Sequence, residues 1–326
     1  MNQSFEYFAM AWSNPDLFLL TAAGTFAGIY IGAIPGLSVT MAVSILISFT
    51  FSWEVNEALA LMAGVFLGGV YGGSRTAILL NIPGAPSALV TALDGYPLAR
   101  KGKAGQAIGL STIMSFIGGL LGISVLMVAA PIISNFTLAF APRDYFLLAV
   151  LGLLLVGSLA ADSFSKGVFC GALGVLLATV GLDPLTAEER FTFDALELMN
   201  GIPYVAAMIG FFGFAEILVQ LEHLDVKQVR QELDKILPSL DKIKKHLPLS
   251  VRTSMIGVFV GALPGTGGDI ASLLAYDHAK RSVKNPSVDF GDGAEEGLIA
   301  AETANNAAVG GAYIPMLTLG IPGDAV

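Results

Sequence analysis

Arg75 stands in a stretch of chain that is otherwise apolar, and three carboxylates, Asp269, Glu302 and Asp324, belong to clusters of small and polar residues further on. An ionised group inside a membrane segment is costly unless it faces a cavity or a partner, so Arg75 marks a candidate functional position. A guanidinium such as Arg75 can clamp a carboxylate through two parallel hydrogen bonds. Alternatively it snorkels, or pairs with Glu54, Glu57 or a backbone carbonyl. The carboxylates of Asp269, Glu302 and Asp324 are oxygen ligands suited to a hard cation such as Na⁺, or to a transferable proton. They could equally cap helices or line a water-filled vestibule. Beside them lie neutral polar groups, Ser74, Asn81, Asn305 and Asn306. An amide deep in an apolar medium must find a hydrogen-bond partner, which makes these substrate-contact candidates.

What could position them is a pair of repeated interruptions. Gly32-Ala-Ile-Pro35-Gly36 returns as Gly261-Ala-Leu-Pro264-Gly265, and Leu80-Asn81-Ile-Pro83-Gly84 returns as Leu319-Gly-Ile-Pro322-Gly323. Pro35 and Pro83 are 48 residues apart, Pro264 and Pro322 are 58. Each Pro-Gly pair breaks an apolar segment, and broken helices are tolerated in a bilayer only where the freed backbone is buried or lines a cavity. Interrupted segments at matching places of two repeats point to the binding site of a secondary transporter. The breaks themselves, Pro35, Gly36, Pro83, Gly84, Pro264, Gly265, Pro322 and Gly323, therefore join the candidate substrate site.

Composition agrees with a membrane protein. The chain has 326 residues, 54% of them hydrophobic and only 13% charged, about half the charged share of a soluble domain. A net charge of −9 gives no footprint for nucleic acid. The lone cysteine, Cys170, excludes an internal disulfide, and its apolar flanks predict a packing residue. His223, His246 and His278 lack metal-ligand spacing and read as solvated loop residues. No phosphate-cradling Gly-x-x-x-x-Gly-Lys-Ser/Thr loop is present, so ATP is not expected as the energy source. Met1–Asp16 has no basic residue, unlike a secretory leader, so the first apolar run is expected to be retained.

Apolar stretches lie near 17–34, 37–51, 57–82, 105–134, 144–161, 167–181, 203–221 and 253–276. A last one starts near Leu298 and is expected to break at Pro315 and Pro322. Basic residues assign the sides. Arg100, Lys101 and Lys103 mark one cytoplasmic loop, the seven basic residues of 222–252 a second, and Lys280, Arg281 and Lys284 a third. The acidic loop 182–201 and the N-terminus fall outside. Asp94 to Lys103 has a turn-like composition and reads as an ordered loop. Seven crossings would separate the starts of the two repeats, which makes them inverted.

The expected architecture is an all-α polytopic membrane protein with inverted repeats and broken or re-entrant helices, of the rocking or elevator type. Residues 1–221 form the first transmembrane repeat, 222–252 a cytoplasmic linker, and 253–326 the start of a second repeat. That second repeat is incomplete, needing on the order of 150–200 further residues by symmetry.

Several elements together resemble the large membrane subunit of the tripartite tricarboxylate transporters, the TctA family. They are Gly32 to Gly36, Tyr71-Gly-Gly-Ser74, Ile78 to Gly84, Thr91-Ala-Leu-Asp-Gly-Tyr-Pro-Leu-Ala99, Gly181-Leu-Asp-Pro184, Arg190-Phe-Thr-Phe193, Gly261 to Gly265 and Leu319 to Gly323. The resemblance runs through essentially the whole chain in order. It implies cation-coupled uptake of tri- or dicarboxylates across a bacterial inner membrane, with no cofactor beyond a coupling ion such as Na⁺. A periplasmic substrate-binding protein would deliver the substrate, and a small four-helix membrane subunit would accompany this one in the bilayer. Arg75 departs from the small polar residue usual at its position in that family.

Other classes fit less well. An intramembrane aspartyl protease needs facing aspartates, one in Gly-x-Gly-Asp, whereas residues 266–269 read Thr-Gly-Gly-Asp and Asp277 shares the same short hairpin. A passive channel needs a continuous pore. A membrane subunit that does not itself transport is a further alternative.

Overall fold

The computed structural model describes residues 9, 12–34, 37–137, 141, 143, 146–147, 150, 164–183, 186, 188–202, 218, 235–263 and 266–324. Most of the expected apolar segments 144–161 and 203–221, and residues 222–234 of the linker, lie outside them. So do four of the helix-breaking residues, Pro35, Gly36, Pro264 and Gly265.

Helix α1, Pro15–Ala33, starts where Asn14 accepts hydrogen bonds from the backbone N–H groups of Asp16 and Leu17, with proline at the first helical position. Its only buried residues are Gly24, Gly28 and Gly32, so the rest of this apolar surface is suited to lipid. After a short break comes α2, Val39–Thr50, capped by Ser38. Helix α3, Val55–Leu80, is long enough to cross a bilayer and ends at Asn81 in the left-handed conformation. Helix α4, Ala88–Leu98, passes through a wide turn at Ala99–Lys103 into α5, Ala104–Thr137. Among the described residues, three stretches are long and apolar enough to span: Pro15–Ala33, Val55–Leu80 and Ala88–Ile133.

The stretch from Asp94 to Leu98 is thus helical, not the loop its composition predicts. The reason is Asp94. Fully buried, its Oδ1 accepts from the backbone N–H groups of Gly291, Gly293 and Ala294 at 2.9, 2.8 and 2.7 Å. A distant part of the chain supplies the partners that a local turn would otherwise have provided.

Helix α6, Phe164–Ala178, leads to a two-stranded antiparallel ribbon of β1, Gly181–Leu182, and β2, Glu189–Arg190. Arg190 pairs there with Asp183. Helix α7, Leu240–Gly261, begins inside the charged segment assigned as linker, with Ser239 as its cap. Helix α8, Gly267–Ser282, follows it in the chain. Helix α9, Glu295–Leu319, runs through Pro315 without the expected interruption and stops at Gly320.

Two minor expectations change. His246 is buried on α7 and His278 lies on α8, so neither is a loop residue, while His223 falls outside the described residues. Cys170 is exposed on α6, on a surface of apolar neighbours such as Phe169 and Leu173, rather than packed inside.

Helix α9 sits at the centre. Every residue from Glu296 to Ala312 is buried. A helix of Ala, Gly, Thr and Asn has no single apolar face, so it must be covered on all sides. Its small side chains let backbones approach closely, as helices do in lipid. A Cβ on Gly118 or Gly122 of α5 would strike the carbonyl oxygen of Thr303 or Ala307. Ile78, Leu110, Met114, Leu249, Leu298 and Ile299 fill the space where α3, α5, α7 and α9 meet.

The helix pairs α1–α3 and α7–α9 pack through corresponding contacts. Gly28 and Gly32 press on the carbonyls of Val65 and Gly69, while Gly257 and Gly261 press on those of Ala304 and Ala308. The C-termini correspond too: the Ile82 N–H reaches the Thr76 carbonyl and the Ile321 N–H reaches the Pro315 carbonyl, each at 3.3 Å. Asn81 and Gly320 both hold positive φ, 58° and 67°, which is how a helix end closed by such a reach-back bond is made.

Candidate functional site

A cavity of about 480 Å³ opens where the broken elements converge. Its wall takes Ser38, Val39 and Thr40 from the start of α2, Pro83 to Ser87 from the break after α3, and Gly268 and Asp269 from the start of α8. Asn305 and Val309 of α9 and Asp324 beyond its end complete the polar side, with Phe66, Val70 and Leu89 on the apolar side. A volume of this size suits a small organic ligand.

Two helix N-termini face this space, and backbone N–H groups at such termini favour negative charge. At α8 the Gly268 N–H donates to Asp324 Oδ2 at 3.2 Å. At α2, Ser38 Oγ accepts from the Met41 N–H at 3.4 Å. Asn305 is 1% exposed, and its Nδ2 has no hydrogen-bond partner among the described residues. A buried amide donor in the wall of a polar cavity is a group suited to an acceptor oxygen of a ligand. Among the described residues the lining contains two carboxylates, Asp269 and Asp324, and no lysine or arginine. An anion bound here would therefore need its charge balanced by a cation held nearby.

The candidate residues sort into three groups. Pro83, Gly84, Asn305, Asp269 and Asp324 line the cavity. Asn81, Pro322 and Gly323 build the helix ends around it: Asn81 is the left-handed cap, Pro322 is exposed, and Gly323 packs on the Ala312 backbone. Ser74, Arg75, Glu302 and Asn306 lie elsewhere, in a buried polar cluster. Glu302 Oε1 accepts from Ser74 Oγ at 2.6 Å and Thr91 Oγ1 at 2.5 Å, and Oε2 accepts from Ser111 Oγ and Ser115 Oγ, each at 2.7 Å. Arg75 Nη2 is 3.9 Å from Glu302 Oε2 and donates to Ser111 Oγ. Its Nη1 donates to the Ile108 carbonyl, Thr112 and Tyr71, and the guanidinium lies 4.0 Å from the centre of the Tyr71 ring. Asn306 Nδ2 donates to the Glu302 carbonyl at 3.0 Å.

Sequence reasoning missed Thr91, Ser111 and Ser115, and the apolar wall of Phe66, Val70, Leu89 and Val309. A signal existed for the hydroxyls. Ser111 and Ser115 are four apart on an apolar helix, as are Ser87 and Thr91, so each pair shares one face.

At the polar end of α9, Glu295 accepts from Lys242 Nζ at 2.8 Å and lies 3.7 Å from His246 Nε2. Burial raises the Glu295 pKa, but the hydrogen bonds and charges of His246 and Lys242 outweigh it and bring it down to about 2.

Long apolar helices, close-packed glycines and a polar cavity at helix breaks define a helical membrane protein with a cavity among its central helices. The comparisons with known proteins are specific. A model of the tripartite tricarboxylate transporter TctA family matches residues 18–326, and the chain belongs to that family of transporter components. It is 40% identical over 304 residues to an "Uncharacterized 52.8 kDa protein in TAR-I ttuC' 3'region" of Agrobacterium vitis, covering 93% of this chain and 60% of the relative. It is also 49% identical over 70 residues to an "Uncharacterized protein in TAR-II ttuC' 3'region" of the same organism, covering 22% of this chain and 28% of that one. The chain thus spans about 60% of the length of the first of these relatives. No solved structure matches it.

Proposed function

We propose that the chain is the substrate-translocating part of a cation-coupled importer of tri- or dicarboxylates in a bacterial inner membrane. The observation that carries this reading is the unpartnered Asn305 Nδ2 in the wall of a cavity faced by the N-termini of α2 and α8. One carboxylate of the substrate would accept from Asn305 and the backbone N–H groups at the α2 N-terminus. Asp269 and Asp324 would hold the coupling cation, with Na⁺ the candidate, and so balance the substrate's charge.

The constant correspondence of α1–α3 with α7–α9 supports a duplicated plan, and the loop charges support opposite orientation of the two copies. In inverted-repeat transporters the site lies between the copies, and access alternates as one part moves against another. A periplasmic substrate-binding protein and a small four-helix membrane subunit complete the assembly in this proposal, as family membership suggests.

The test is uptake of radiolabelled citrate and dicarboxylates by cells carrying the full-length protein with its two partner subunits, with and without a sodium gradient. Gradient-driven uptake that Asn305→Ala weakens and Asp269→Asn uncouples from sodium is expected. No uptake of any carboxylate, with all three components verified in the membrane, would remove the substrate assignment.

A further inference from the structure

The buried cluster around Glu302 lies one helical turn from the cavity on each element that the two share. Asn305 lines the cavity and Glu302 is three residues before it on α9. Ser87 lines the cavity and Thr91 follows one turn later on α4. Gly84 lines it and its N–H bonds to the Gly73 carbonyl, adjacent to Ser74 on α3. Helix α5 adds Ser111 and Ser115. A single carboxylate thus ties α3, α4, α5 and α9 together just beneath the site, although it is 0% exposed and does not line the cavity.

Four hydroxyl donors fill the acceptor positions of the carboxylate, an arrangement suited to its ionised form. Arg75 supplies the countercharge; its Nη1 and Nη2 donate to Ser111, Thr112, Tyr71 and the Ile108 carbonyl, while its buried Nε has no hydrogen-bond partner among the described residues. The Glu302 carboxylate has no acceptor position left for a ligand of its own. A fully satisfied buried polar network fixes geometry, and a half-satisfied one disrupts it.

We propose that Glu302, with Arg75 as its countercharge, is a positioning residue: it sets the register of three cavity walls, and so the placement of Asn305, without touching substrate or coupling ion. The role in transport rests on the proposed function, whereas the effect on cavity geometry does not. Removing one charge strands the other. Removing both leaves a neutral network that can close again.

The experiment uses the full-length protein with its partner subunits, with Cys170 replaced by alanine and a reporter cysteine introduced by Ser87→Cys. The first readout is the rate at which a charged methanethiosulfonate labels that cysteine; the second is the KM and sodium activation of citrate uptake. Glu302→Gln is expected to change the labelling rate and raise KM by roughly tenfold, the scale set by small misplacements of binding groups. Its sodium activation should stay as in the parent, and Arg75→Gln/Glu302→Gln should recover most of both losses. Thr91→Val, which removes one donor at nearly constant shape, should give the same change in smaller measure and serves if Glu302→Gln does not fold. An unchanged labelling rate in folded Glu302→Gln or Thr91→Val overturns the proposal. So does a shift of sodium activation at unchanged labelling, which would make Glu302 an ion ligand. Altered labelling in a protein that takes up no citrate supports the positioning role and counts against citrate as the substrate.

Discussion

Asn81 looks in the sequence like a binding amide beside a break, but its backbone has a different task. At φ 58° it closes α3, and the following Ile82 N–H reaches back to Thr76. Asparagine enters this conformation more readily than most side chains, and glycine does so freely. Gly320, which closes α9 in the same way, shows that the position does not need an amide. Asn81→Gly is therefore expected to leave the thermal stability of the purified protein nearly unchanged. Asn81→Val should lower stability by about 1–2 kcal/mol, because a β-branched residue is strained there. Equal behaviour of the two variants in a thermal melt would refute this account. The other polar candidates divide for a similar reason. Residue type and position identify Asn305 and Glu302 equally well, and only the partners separate them: none for Asn305 Nδ2, four hydroxyls for Glu302.

Among the elements, the repeated breaks were legible because proline, glycine and the surrounding apolar runs are local signals. The end of α3 and the start of α2 fall where the pattern places them. Asp94 was not legible. Its three partners lie 197 to 200 residues away, so nothing near it in the sequence marks it as buried. The same distance hides the Glu302 cluster, whose hydroxyls come from residues 187 to 228 positions earlier. Pro315 misled for another reason: it is itself buried, and proline inside a membrane helix is tolerated where its surroundings satisfy the backbone it frees.

The ends of α7 and α9 are clipped together by Lys242, His246 and Glu295. Because the Glu295 pKa lies near 2 in the folded protein against an ordinary value of 4.5, its contribution to stability is fully present above about pH 4.5. It is lost as pH falls toward 2. Thermal melts of the purified protein between pH 6 and pH 3 should show this loss, and Glu295→Gln should reduce the slope. An unaltered slope in Glu295→Gln would assign the acid sensitivity to other carboxylates.

On the scale of the whole molecule, polar contacts of one kind gather at one end. The Lys101 Nζ donates to the Asp292 carbonyl at 2.7 Å, beside the Asp94 anchor and near the clip of Lys242 with Glu295. Basic residues crowd this end, with Arg100, Lys101 and Lys103 in the turn before α5 and Lys280 and Arg281 at the end of α8. The ribbon of β1 and β2 presents instead Asp183, Glu188 and Glu189 around a single Arg190. Basic residues near membrane segments are retained in the cytoplasm, whereas acidic ones weigh little, so the first end should face inward and the ribbon outward. The proposed inverted orientation of two copies depends on this sidedness, because α1 would then start outside and α7 inside. With Cys170 replaced, a cysteine introduced by Glu188→Cys should react with a membrane-impermeant maleimide in intact cells. One introduced by Lys284→Cys should react only after the cells are opened. Labelling of both from outside would contradict the assigned sides. Labelling of Lys284→Cys alone in intact cells would reverse them.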